Sequence, residues 1–279
     1  MKIRLLAGAA CLAISCFAVA NPAAAEEEAT SPITVSGSVA MTTDYRYRGV
    51  SMSDKDLAIQ GGLTVSHDSG IYVGAWASNL AGWGTFGGSN TELDLSAGYS
   101  AEITSGVTAD VGLVWIMFPG GVDTTDFAEL HATISGDVGP VSVGVGVNYA
   151  PKQEALGMWY SSGLEDAIYD EGAKGDNFYV HGELGASIPD TPLSLNAHLG
   201  YSDGNAGLGP WGTSLAPTGS YLDWSLGASL DVGPVTLSAT YIDTDLSRSN
   251  TAYLGSGLTA SDGGFIADST VVFTVSAGF

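Results

Sequence analysis

The side chains best placed to do chemistry are two histidines and a carboxylate, His181, Glu183 and His198. A turn centred on Asp190-Thr191, with Pro189 facing Pro192, puts Glu183 opposite His198 and His181 diagonal to it. Two imidazoles and one carboxylate so grouped can hold a divalent metal. A hydrogen-bonded polar network is the commoner use of such a group, and the sequence leads us to expect no metal and no cofactor. A second set consists of Asp44, Arg46, Arg48, Glu92, Asp94, Glu129 and Asp223, in which acids outnumber arginines. Lining a narrow passage, such charges concentrate cations; paired with one another, they close it. Arg46 and Arg48 are expected to meet Asp94 or Glu92. Hydrolytic chemistry is not indicated, because no G-x-S-x-G elbow occurs and His131, His181 and His198 share one polar face, with His67 left in a turn. No enzyme is expected.

What positions these residues is a period of two. From Ile33 to Arg48 the odd positions run Ile, Val, Gly, Val, Met, Thr, Tyr, Tyr, and the even ones Thr, Ser, Ser, Ala, Thr, Asp, Arg, Arg. Such alternation makes a strand with one apolar and one polar face. It recurs in Leu57–Ser66, Ile71–Leu80, Glu92–Glu102, Val107–Met117, Ala128–Ser135, Val141–Tyr149, Phe178–Ile188, Leu193–Tyr201, Leu222–Leu230, Val235–Tyr241 and Val271–Phe279. These make twelve strands. Tight turns at 67–70, 104–106, 136–140, 189–192 and 231–234 alternate with long loops at 49–56, 81–91, 119–126, 150–176, 202–220 and 243–268.

A soluble sandwich also alternates, but its polar faces carry many Lys and Glu, whereas these are Ser, Thr, Gly and Asn with a few acids. The fold class predicted is all-β, a transmembrane up-and-down antiparallel β-barrel of about 12 strands. Tyr45, Tyr47, Phe127, Tyr149, Phe178, Tyr201, Trp224 and Tyr241 are predicted to form an outward girdle at the loop end. Asp44, Glu92, Asp94, Glu129, Asp223 and Asp243 should form an acidic collar at the same end. His181, Glu183 and His198 line the pore further in. The terminal Phe279, with Phe273 and Val275 on the same apolar track, has the form of a signal read by barrel-assembly machinery.

The first 25 residues carry Lys2 and Arg4, an apolar run from Leu5 to Ala20 and the exit Ala23-Ala24-Ala25. This predicts a secretory signal over 1–25 and a barrel over 26–279. Cys11 and Cys16 leave with the signal, so no disulfide framework is expected. A net charge of −22 excludes an electrostatic nucleic-acid binder. Disorder is excluded as well, since 45% of residues are hydrophobic and only 14% charged.

The run Asp44-Tyr45-Arg46-Tyr47-Arg48-Gly49-Val50-Ser51, then Gln60-Gly61-Gly62, then Gly70-Ile71-Tyr72-Val73-Gly74-Ala75-Trp76-Ala77-Ser78-Asn79, resembles the TorF-type porin family of proteobacterial outer-membrane proteins. Phe118-Pro119-Gly120, Glu129-Leu130, Ala197-His198-Leu199-Gly200-Tyr201-Ser202 and Asp223-Trp224 extend the likeness over nearly all of 26–279. The resemblance implies a Gram-negative outer-membrane location and passive passage of small hydrophilic solutes, and it brings no catalytic residue. The loop 150–176 is longer than the family pattern. Acid-rich lumen residues add a cation preference to this expectation; a structural or adhesive barrel without an open pore is the alternative.

Overall fold

The computed structural model describes residues 31–161, 168–255 and 257–279, so the expected signal over 1–25 lies outside the described residues. In chain order the strands are β1 (Ile33–Thr42), the short pair β2 (Arg46–Tyr47) and β3 (Val50–Ser51), β4 (Ala58–His67), β5 (Ile71–Asn79), β6 (Thr91–Thr104), β7 (Val107–Met117), β8 (Phe127–Val138), β9 (Val141–Gln153), the short pair β10 (Tyr160–Ser161) and β11 (Ile168–Tyr169), β12 (Gly175–Ser187), β13 (Leu193–Gly204), β14 (Ser220–Val232), β15 (Val235–Thr244) and β16 (Thr270–Gly278). Twelve of them close a barrel in which neighbours run antiparallel, and β1 shuts it by pairing with both β4 and β16. The shortest barrel strands have 9 residues and the longest 14, enough for a tilted crossing of a bilayer, which takes about 9–11. The predicted strand count and the alternation of tight turns with long loops are those observed.

Period-two patterning explains the wall. Val39, Ile59, Leu226 and Phe273, on four different strands, are each more than half exposed, while their neighbours in sequence face inward. An apolar surface that runs around every strand far exceeds what a water-facing protein leaves bare, and it is the surface a barrel turns to lipid. Tyr149, Phe178, Tyr201, Trp224 and Tyr241 stand on this outward face near the loop end. Three of their hydroxyls donate to acids at the rim, Tyr149 to Asp176 (3.2 Å), Tyr201 to Asp203 (3.5 Å) and Tyr241 to Asp243 (2.8 Å). Each phenol thus keeps its ring in the apolar band and its polar tip at the edge.

The other three predicted girdle residues do not belong there. Phe127 shares the inward parity of Glu129 and His131 and is buried. Tyr45 and Tyr47 are not on the wall at all, because β1 stops at Thr42 rather than running to Arg48. The Thr42 hydroxyl donates to the Asp44 carbonyl, Ser53 Oγ takes the Tyr45 N–H, and the chain leaves the sheet for the interior. A short extended hairpin has the same period of two as a wall strand, so the sequence pattern passes through the corner unbroken.

Candidate functional site

The segment that turns inward folds as the β2–β3 hairpin, with Arg46 opposite Ser51 and Tyr47 opposite Val50. Its two-residue turn is Arg48-Gly49, both at positive φ (48° and 82°), the backbone of a type I′ connection. Glycine takes that conformation freely, and here it must: a Cβ at Gly49 would collide with Thr244. Arginine does not, so its contacts hold it there. Arg48 Nη2 donates to Glu129 Oε2 on β8 at 2.6 Å, and Nη1 donates to Asn177 Oδ1 on β12 at 2.8 Å. The guanidinium lies 3.9 Å from the centre of the Tyr179 ring, and the Arg48 carbonyl accepts from Tyr221 on β14. Burial, the largest single effect, works against the charge on Arg48, but Glu129 together with Tyr47, Tyr179 and Tyr221 outweighs it and holds the guanidinium above its ordinary value.

The rest of the hairpin is tied to the remaining walls. Arg46 donates to Asp44 Oδ2 (2.7 Å), to the Gly49 carbonyl (2.8 Å) and to the Asp268 carbonyl (2.7 Å). Tyr45 donates to both oxygens of Glu92 on β6 and packs edge-on against Trp76 on β5. Asp44 Oδ1 accepts from Ser51 and Ser53, and Asn148 donates to the other oxygen of Glu129. The hairpin therefore touches strands on several sides of the barrel and lies across its lumen. Above it the long loops close in two apolar clusters, one holding Met52, Phe86, Phe118, Leu156 and Leu215, the other Val50, Leu208, Leu254, Phe265 and Ile266.

Further from the loop end a second polar network lines β12, β13 and β14. Glu183 pairs with His198 across the ladder, the register expected from the Asp190-Thr191 turn. His181 Nδ1 is 2.7 Å and His198 Nδ1 3.3 Å from the same Glu183 oxygen, and His198 Nε2 is 3.0 Å from Asp223 Oδ1. Tyr179, on which Arg48 rests, donates to Asp223 and so joins the two networks. Tyr72, Asp110 and His131 form a separate group on β5, β7 and β8.

All ten residues assigned to the pore face the interior, but their roles differ from the expectation. Asp44, Arg46 and Arg48 ride on the hairpin instead of the wall, and the arginines meet Asp44 and Glu129 instead of Asp94 or Glu92. The collar is not open to solvent: Glu92, Glu129 and Asp223 are buried, as is Asp94, whose Oδ1 finds no hydrogen bond among the described residues. Asp243 is on the outer face with Tyr241. Sequence reasoning missed Tyr45, Asn148, Asn177, Tyr179 and Tyr221 as partners of these charges. The Arg48-Gly49 pair, a turn dipeptide where the expected strand meets the 49–56 loop, was the available signal.

The fold and its contents define an antiparallel barrel that is occluded at its loop end. The chain belongs to Gcw_chp, a family of bacterial proteins of unknown function, whose model matches residues 26–279. That match does not carry the TorF designation. No protein of curated function matches the chain. Among solved structures it is similar to an outer membrane channel from Pseudomonas putida F1, with 11% identity, 92% of this chain and 99% of that one covered, and a TM-score of 0.45. It is also similar to the outer membrane channel DcaP of Acinetobacter baumannii, with 10% identity, 88% and 97% covered, and a TM-score of 0.42. A porin gives 11% identity, 88% and 100% covered, and a TM-score of 0.41. At these identities the likeness is one of architecture alone.

Proposed function

We propose that this chain is a porin-like channel of the bacterial outer membrane, passing small hydrophilic solutes, and that the β2–β3 hairpin holds it shut. The observation that carries this reading is the chemistry of the hairpin's attachment. It is bound across the lumen by hydrogen bonds and ion pairs to a wall that stays polar beneath it, with Thr64, Ser100, Thr133, Ser135, Ser194 and Asn196 facing inward. A barrel built only as a filled scaffold has no need of a polar wall below its filling. Contacts of this kind exchange with water far more readily than an apolar core does.

Charge accounting gives the selectivity. When the hairpin withdraws it takes Arg46 and Arg48 with it, and Glu92, Asp94, Glu129 and Asp223 remain on the wall. The open passage then prefers cations, with the field screened over a Debye length of about 8 Å at physiological salt. The outward band meets outer-membrane lipid, and Phe273, Val275 and Phe279 present the assembly signal. No catalytic role is assigned to any residue. Swelling of liposomes loaded with the purified protein tests the reading: small neutral and cationic solutes should enter several-fold faster through Arg48→Gln than through the wild type. Equal, background-level swelling for both would favour the second reading, a structural barrel without a pore, to which the two apolar loop clusters lend weight.

A further inference from the structure

We infer that His181, Glu183 and His198 form a binding site for one divalent transition-metal ion inside the barrel, with Asp223 orienting His198. Three observations carry this. The first is convergence. Both imidazoles aim the same nitrogen, Nδ1, at one Glu183 oxygen, at 2.7 and 3.3 Å, and the three ligand atoms lie within 4.8 Å of one another. A tetrahedral ion with bonds of about 2.0–2.2 Å spaces its ligand atoms about 3.3–3.5 Å apart. The His198–Glu183 contact already has that spacing, and the His181–Glu183 contact has only to open by roughly half an ångström.

The second observation lies behind the ligands. His198 turns its far nitrogen, Nε2, to Asp223 Oδ1 at 3.0 Å, and the Tyr179 hydroxyl donates to that same carboxylate. With Nε2–H donated to Asp223, Nδ1 becomes the ligand atom once an ion displaces the proton it shares with Glu183; this carboxylate–histidine arrangement fixes the tautomer and ring of a metal ligand. The rings of His181 and His198 are stacked, with centroids 6.0 Å apart and 27° between their planes, so one ring must turn about its Cβ–Cγ bond to bring both in-plane lone pairs onto one ion.

The third observation is a niche cut in the neighbouring strand. Gly144 and Gly146 of β9 face this group, and a Cβ at Gly146 would collide with the His181 ring. The side chains of His181, Glu183 and His198 keep 14%, 18% and 11% of their surface exposed, so a fourth ligand position faces the lumen and an arriving ion can be stripped of its water stepwise. Two nitrogens and one carboxylate suit Zn²⁺, Cu²⁺ or Ni²⁺ better than Mg²⁺ or Ca²⁺, which take oxygen sets.

The test measures binding and not conduction, so it stands apart from the channel reading. The whole chain, stripped with EDTA and folded in detergent, is dialysed against Zn²⁺ and separately loaded with Cu²⁺ for electron paramagnetic resonance. We expect one tightly held Zn²⁺ per chain, and a Cu²⁺ spectrum split by two imidazole nitrogens. Asp223→Asn should weaken Zn²⁺ binding about 10–100-fold, and His181→Ala with His198→Ala should abolish it, whereas His67→Ala, at the exposed turn end of β4, should leave it unchanged. Heat-modifiable migration confirms that each variant is a folded barrel. Failure of the folded wild type to retain one equivalent, or a Cu²⁺ spectrum without imidazole splitting, overturns the site. So does undiminished binding in the folded double-histidine variant.

Discussion

Between the loop end and the turn end of the barrel the same strands change what they enclose. At the loop end the inward side chains Glu92, Val114, Ile116, Glu129 and Asp223 are buried against a hairpin that is itself buried. Toward the turn end Thr64, Ser100, Thr133, Ser135 and Asn196 point inward as well, yet remain partly exposed. The wall sets the diameter and the polarity of the interior, and the fifteen-residue connection 43–57 fills it at the loop end beneath the other long loops. The two halves also differ in what holds them. The wall rests on ladder hydrogen bonds and an apolar outer face, so it tolerates changes inside; the plug rests on a few charged contacts together with the apolar packing of Tyr45, Val50 and Met52, so loss of a charged contact should loosen it first.

The largest effect is expected at the plug. Arg48→Gln leaves Glu129 buried without its partner, and Glu129→Gln does the converse; either should cost the docked hairpin about 3–5 kcal/mol. Hydrogen exchange of the amides of 45–52 reads this directly, with protection lost there and kept in the barrel strands. Replacing both residues together, Arg48→Met with Glu129→Leu, should restore most of the protection, since two apolar side chains leave no orphaned charge. If the double replacement is as exposed as either single one, charge pairing is not what holds the plug.

On the wall the two faces should respond oppositely to one substitution. Leu226→Lys places a charge in the outward band and should destabilise the barrel by about 2–4 kcal/mol if it sits near the middle of the bilayer. Asn196→Lys, on the inner face in the polar half, should stay within about 0.5 kcal/mol of the wild type. Urea unfolding in lipid vesicles compares them, and equal losses would undo the assignment of faces. Smaller than the loss expected at Leu226 is that of Gly49→Ala, which forces a side chain into a left-handed turn and against Thr244, at a cost of about 1–3 kcal/mol confined to the hairpin. Its barrel should melt unchanged while exchange at 45–52 accelerates.

These contrasts also explain what was legible in the sequence. Strands such as Val141–Tyr149 could be read because lipid outside and a polar lumen inside impose opposite demands on alternate residues, and the register of Glu183 with His198 followed from one proline-flanked turn. Residues 43–57 escaped the same logic. Tyr45 and Tyr47 are apolar because they pack on Trp76 and the loop residues, not because they face lipid, and period two cannot separate these causes. Phe127 was misplaced for a simpler reason: an aromatic at a strand end was assigned by type, although its parity with Glu129 already put it inside. The partners Asn177, Tyr179 and Tyr221 come from strands distant in sequence, and only the closed ring brings them to Arg48.

Single-channel recording of the purified protein in a planar bilayer tests the central claim most directly, with the wild type set beside a variant in which Arg46–Ser51 is replaced by Gly-Gly. The wild type should be closed apart from brief openings, and the variant should conduct steadily, with a reversal potential across a KCl gradient that favours K⁺. A wild type that conducts as steadily as the variant, or a correctly folded variant that stays silent at every voltage, would contradict it.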